Sequence, residues 1–185
     1  GCVVAKITAA GTMSTLAGTA QNAGPCAHAV GLGPAAGFDK PTGIAIFGTI
    51  LRVVEYNGRR VDTVDTADGN MQHLAGTGVV GFRDGHGDAA EFNVPYYCDV
   101  DSAGNTYLGD RQNHAVRRIS TTGFTTTVAG TGVGGTSDNV IGVWAEFNNP
   151  SGIAVDANDY VFVSGNGGIR LVAPDGFVST LLAGL

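Results

Sequence analysis

The chain has 185 residues, 43% apolar and 14% charged, with a net charge of −6. That supports a buried core and excludes a disordered chain. Lys6 and Lys40 are the only lysines, so there is no broad basic surface to neutralise phosphates and no nucleic-acid partner is expected.

The composition narrows the fold further. Thirty glycines suit many short strands joined by tight turns, because glycine supplies the positive φ such turns need. No apolar run reaches the length of a membrane span, and no charged segment followed by an apolar one marks a signal peptide. Cys2, Cys26 and Cys98 have no C-x-x-C spacing of the zinc-binding kind. Cys2 and Cys26 are able to pair, but the plainer expectation is three small buried apolar side chains.

In chain order, Val4-Ala5-Lys6-Ile7 followed by Gly11 matches Val116-Arg117-Arg118-Ile119 followed by Gly123, at a constant offset of 112. The chain is therefore expected to open in the outer two strands of a repeated unit, over residues 1–18. A signature A-x-F-x-x-P then recurs at Ala36 to Pro41, Ala90 to Pro95 and Ala145 to Pro150. Its phenylalanines, Phe38, Phe92 and Phe147, lie 54 and 55 residues apart. A second marker, leucine or valine followed by Ala-Gly, falls at Ala17-Gly18, Ala75-Gly76, Ala129-Gly130 and Ala183-Gly184. Two markers that share a period define an array of one supersecondary unit, here with full units at 19–76, 77–130 and 131–185.

Within a unit the apolar runs are short and separated by turn residues. The second unit reads as strands over 97–101, 105–108, 115–119 and 124–128, and the third over 153–156, 160–163, 169–172 and 177–182. Pro174-Asp175-Gly176 is a hairpin turn, proline presetting φ and glycine accepting the positive φ that follows. No segment carries a 3.6-residue apolar period, so helix content should be near zero. Four antiparallel strands in a repeat of about fifty residues describe a propeller blade. The predicted fold is all-β, with about three and a half blades in this chain.

The motifs resemble the NHL-repeat family. Asp110-Arg111-Gln112-Asn113-His114-Ala115-Val116-Arg117-Arg118-Ile119 holds the Asn-His pair, and residues 81–92 match the family's G-x-x-D-G-x-G-x-A-x-F entry loop. The resemblance implies structural roles for Phe38, Pro41, Phe92, Pro95, Asn113, His114, Phe147 and Pro150. It also implies a six-bladed ring, which at this period takes about 320 residues, so the chain is expected to be part of a larger ring, completed by further sequence or by another copy. Departures occur: Asp62 stands where Arg117 and Arg170 stand in the other units, and the third unit loses its Asn-His pair near Gly165-Asn166-Gly167-Gly168.

Candidates for chemistry are few. Asp99 replaces the alanines Ala45 and Ala154 of the other innermost strands, and a carboxylate there must be hydrated, hydrogen-bonded or paired. It is the first candidate for a ligand or channel contact. Arg117 and Arg170 are the others, with packing and inter-blade hydrogen bonding their expected role. Asp84, His86 and Asp88 share one Gly-rich loop and are weak metal candidates, because short polar side chains in such loops commonly satisfy turn amides. His28, His73 and His86 look scattered. No cofactor is expected.

The function these features favour is a non-catalytic scaffold or protein-interaction module, contacting protein partners or further blades. One alternative is a metal-dependent lyase or lactonase-like six-bladed enzyme, which requires several His, Asp or Glu side chains converging on the channel. Another is a structural building block of an extracellular assembly; scarce lysine and a possible disulfide lean toward a secreted setting.

Overall fold

The computed structural model describes residues 2–19 and 26–184. Residues 20–25, which open the first predicted full unit, lie outside the described residues.

The described chain forms four antiparallel sheets. The first is a pair, β1 (Cys2–Ile7) and β2 (Met13–Thr19). The second runs from the short β3 (Gly31–Leu32) through β4 (Pro41–Phe47), β5 (Ile50–Glu55), β6 (Arg60–Asp65) and β7 (Asn70–Ala75). The third repeats it as β8 (Gly85–His86), β9 (Pro95–Val100), β10 (Thr106–Asp110), β11 (Ala115–Ile119) and β12 (Phe124–Ala129). The fourth comprises β13 (Gly152–Val155), β14 (Val161–Gly165), β15 (Gly168–Val172) and β16 (Val178–Ala183). Each is an up-and-down meander, and β3 and β8 pair with the last strand of their own sheets. Face-to-face stacking of such sheets makes the chain a partial β-propeller.

There is no α-helix among the described residues, but four three-residue 3-10 turns interrupt the strands. Three of them, Gly33–Ala35, Gly87–Ala89 and Gly142–Trp144, end immediately before Ala36, Ala90 and Ala145 of the signature. Each turn drives its alanine into the interior, where all three are at most 1% exposed. A single tight turn is too short to leave an apolar period in the sequence.

The repeated markers meet between sheets. Phe38 packs with Val4 and Ala17 of the preceding pair, Phe92 with Val61 and Ala75, and Phe147 with Val116 and Ala129. The phenylalanine of each blade thus docks on the Ala-Gly marker of the blade before it. Burying such a ring stabilises by roughly 1.5–3 kcal/mol. The adjoining glycines, Gly18, Gly76 and Gly130, have φ of 96°, 110° and 105°, and a Cβ there would run into the carbonyl oxygens of Cys2, Arg59 and His114. The marker is glycine for both reasons.

The cysteine expectation needs correction. Cys2 and Cys26 form a disulfide, with Cα atoms 6.0 Å apart, and only Cys98 is a free, buried thiol. Burial pushes the Cys98 thiol up to about 12, so it stays protonated and inert.

The residue before each signature proline adopts a left-handed backbone: Lys40, Val94 and Asn149 have φ of 57°, 59° and 51°. A β-branched side chain is poorly suited to that region, whereas asparagine tolerates it. Val94→Asn should therefore raise stability by about 1 kcal/mol, read as a higher urea midpoint with an unchanged slope.

Candidate functional site

The residues most worth chemical scrutiny sit on one layer of each blade, where the third strand meets the loop entering that blade. In the third sheet this layer is built on Arg117, whose side chain is wholly buried. Its Nη1 donates to Asp110 Oδ2 at 2.6 Å and to the Glu91 carbonyl at 3.1 Å. Its Nη2 donates to the Arg83 carbonyl at 2.9 Å and to Asp84 Oδ1 at 2.8 Å. The guanidinium also lies over the rings of Phe82 and Phe92, at 5.0 and 5.2 Å. Burial drives the Asp110 carboxyl up to about 6, against Arg117, the Asn113 amide and the Asn93 N–H.

Arg170 repeats this in the fourth sheet. It donates to the carbonyls of Glu146 and Ser137 and, at 2.6 Å, to Asp138 Oδ1, and it covers the Phe147 ring. Asp138 in turn accepts from the Thr180 backbone N–H and hydroxyl, as Asp84 does from Thr127. Both arginines therefore clamp an entry loop onto their own blade. Their bonds run within a blade and its entry loop.

The second sheet fills the same slot differently. Asp62 pairs with His73 across β6 and β7 as Arg117 pairs with Thr127 across β11 and β12. Glu55 takes the place of Asp110: each is opposite its signature proline, and Glu55 Oε2 accepts the Asp39 N–H at 3.1 Å as Asp110 Oδ1 accepts that of Asn93. From the entry loop comes His28, its Nδ1 3.0 Å from Glu55 Oε1 and 3.6 Å from Asp62 Oδ2. His73 Nδ1 lies 3.2 Å from Asp62 Oδ1. The two imidazoles sit edge to face with centroids 5.9 Å apart.

Both carboxylates are fully buried, and the arginine that neutralises this layer elsewhere is missing. Burial pushes the Asp62 carboxyl up to about 6. The hydrogen bond to Glu55 raises the pKa of His28, with further help from the charges of Asp62 and Glu55 and against its own burial. Asp62 Oδ2 has no hydrogen-bond partner. The histidines that look scattered in the sequence are thus brought together here.

The remaining candidates fall elsewhere. Asp99 lies on β9, the innermost strand, where Oδ1 accepts the Val100 N–H and Oδ2 the Val155 N–H, each at 2.8 Å. It ties the innermost strands of two blades. Asp84, His86 and Asp88 do not converge: Asp84 holds Arg117 and Thr127, His86 lies in β8, and exposed Asp88 places Oδ1 3.2 Å from His73 Nε2. Asn113 donates to Asp110 and to the Gly81 carbonyl, and His114 Nδ1 accepts the Asn149 N–H of the next blade at 3.2 Å. His114 therefore carries its proton on Nε2 in that bond.

Similar solved structures agree on the fold. An auxiliary nutrient-binding protein from Bacteroides thetaiotaomicron matches 87% of this chain and 40% of its own at a TM-score of 0.66, with 21% identity. Virginiamycin B lyase from Staphylococcus aureus matches 95% of this chain and 46% of its own at 0.58, with 14% identity. A chain of the nidogen/laminin complex matches 77% of this chain and 48% of its own at 0.58, with 13% identity. The chain thus spans less than half the length of each. No protein-family model matches it, and no curated protein is significantly similar. At these identities the likeness establishes a propeller fold.

Two measurements check the arginine clamps. Arg117→Ala leaves Asp110 buried without its cation and should cost roughly 3–5 kcal/mol; Arg117→Lys should recover only part of that, because an ammonium cannot span the four acceptors. Urea denaturation reads both. For Asp138, burial alone would raise the carboxyl, but Thr180 and Arg170 outweigh it and hold it below its ordinary 3.8. The native state then binds its proton more weakly than the unfolded chain, so the stabilisation is complete above that pH and lost on acidifying through the lower native value. Asp138→Asn should be less stable than the parent at pH 7, by no more than about 1 kcal/mol for so exposed a carboxylate. The gap should close in acid.

Proposed function

We propose that the chain is a segment of an NHL-type propeller acting as a non-catalytic scaffold or protein-interaction module, divided into a partial blade at 1–18 and blades at 19–76, 77–130 and 131–185. Its open sheet faces take further blades or a protein partner. The observation that carries this reading is one pair of positions. Val116 and Ala129 face each other across β11 and β12 and are wholly buried under the next blade. Ile169 and Leu182 face each other in the same way across β15 and β16, yet are 39% and 62% exposed. Ala183 of the marker is exposed as well, with no signature phenylalanine on it.

The opposite side supports the same reading. β1 matches the third strand of a blade, but among the described residues its only partner is β2. A groove of about 190 Å³ lined by Val3, Ala5, Gly43 and Ile44 runs between β1 and β4, where inner strands would lie in a complete blade. Exposed apolar side chains on both outer sheets support an interaction face. The nidogen/laminin structure is a fold neighbour found in a protein complex, and the Cys2–Cys26 bridge suits an oxidising, extracytoplasmic compartment. A lyase reading, prompted by the virginiamycin B lyase neighbour, has less support. Asp99, the inward carboxylate, already spends both oxygens on backbone amides.

Glutamates at Ile169 and Leu182 test the face in the protein that carries this chain. The double variant should lose at least about 2 kcal/mol of stability or release a partner, seen as slower sedimentation, because two apolar side chains no longer bury. Val79→Glu, at another exposed valine, should change neither. A double variant that unfolds and sediments like the parent would overturn the covered-face reading, and turnover of a streptogramin B would overturn the non-catalytic one.

A further inference from the structure

The geometry points to a zinc site inside the second sheet, formed by His28, His73, Asp62 and Glu55 in the slot that holds a buried arginine in the next two sheets. The donor atoms of His28, Asp62 and His73 all lie within 4.8 Å of one another. Ligands about 2.0–2.1 Å from a tetrahedral ion stand about 3.3 Å from each other. The observed separations are 3.0 Å from His28 Nδ1 to Glu55 Oε1, 3.2 Å from His73 Nδ1 to Asp62 Oδ1, and 3.6 Å from His28 Nδ1 to Asp62 Oδ2. His28, Asp62 and His73 converge, and Glu55 stands at ligand spacing from His28.

A second observation, independent of the spacing, is an unpartnered buried oxygen. Asp62 is fully buried, yet its Oδ2 accepts no hydrogen bond. His28 Nδ1 is 3.6 Å away, too far to bond it. A divalent cation among the donors satisfies that oxygen and supplies the charge that Arg117 provides one blade further on. Two imidazoles with carboxylate oxygens suit zinc.

The surroundings fit a ligating histidine. His73 turns Nδ1 inward and Nε2 toward Asp88 Oδ1, 3.2 Å away though poorly aligned for a hydrogen bond. Bound through Nδ1, His73 keeps its proton on Nε2, the atom that faces the Asp88 carboxylate. Glu55 is likewise anchored by the Asp39 N–H. With four protein donors the site is closed, which is the form of a structural zinc site. Its role is to brace the entry loop carrying His28 against β5, β6 and β7.

Protein stripped with EDTA and titrated with zinc ions alone tests this. One equivalent should bind per chain and raise the unfolding midpoint. His28→Gln and His73→Gln should each weaken binding at least about tenfold, with zinc-free circular dichroism unchanged, while His86→Gln binds as the parent does. Cobalt(II) in the unaltered protein should give the intense visible bands of a tetrahedral site without thiolate charge transfer, a readout that survives if a variant fails to fold. Absence of a zinc-dependent rise, an octahedral cobalt spectrum, or undiminished zinc affinity in both histidine variants would overturn the assignment.

Discussion

The close approach of neighbouring sheets governs this structure. For Phe38, Phe92 and Phe147 to reach Ala17, Ala75 and Ala129, the receiving position must be small and the residue beside it must have no Cβ, because a carbonyl occupies that space. Gly43 obeys the same rule on the inner strands, where a Cβ would lie 2.6 Å from the Tyr96 carbonyl oxygen of the next blade. Interiors packed this tightly feel single methylenes. The period of the sequence is therefore the period of one docking interaction, and the rest of each blade is free to vary around it.

A second requirement follows from the first. Docking the phenylalanine brings the entry loop over the third strand and buries loop carbonyls that need donors. Arg117 meets this with four acceptors, two of them carboxylates, while Arg170 has one carboxylate because Gly165 stands where Asp110 would. Asp62 reverses the charge of the central residue. Such an exchange leaves two buried acids without an arginine, and the residues that face them are His28 and His73, groups able to hold a cation there. Motif decay, which in the sequence suggests a relaxed scaffold, is in the structure a replacement of one polar assembly by another.

The fold was legible because its determinants are periodic: phenylalanine, proline and Ala-Gly at matched intervals report an inter-sheet contact that recurs. The 3-10 turns were not, since three residues leave no pattern. The His28 cluster was hidden for a different reason. His28 aligns with Phe82, Asp62 with Arg117 and His73 with Thr127, so each looks like an isolated departure from the repeat. A signal did exist. Arg117, Phe82 and Thr127 all belong to one layer in the third sheet, and three simultaneous departures from residues of one layer are better explained by one new site than by three losses. Asp99 stood out by type, but its amide partner in the next blade, Val155, depends on strand geometry that composition does not carry.

The entry loop of the second sheet is also the one tied covalently, through Cys26 to Cys2 of the preceding pair. Position 84 in the third sheet supplies the aspartate that anchors both an arginine and a threonine, whereas its counterpart here is Val30, which anchors neither. Without that carboxylate, loop residues 26–30 need other fastenings, and two lie within three residues of each other: the cystine at Cys26 and the imidazole at His28. The cystine joins the loop to the sheet before it, and the imidazole joins it to the buried acids of its own sheet. The imidazole thus makes the loop-to-blade link that Arg117 and Asp84 make one blade later, and the cystine adds a link to the preceding sheet. What the repeat preserves is the mechanical link between loop and blade: the acid opposite the signature proline stays, as Asp110 or Glu55, while the arginine gives way to Asp62 with His28 and His73 brought to it.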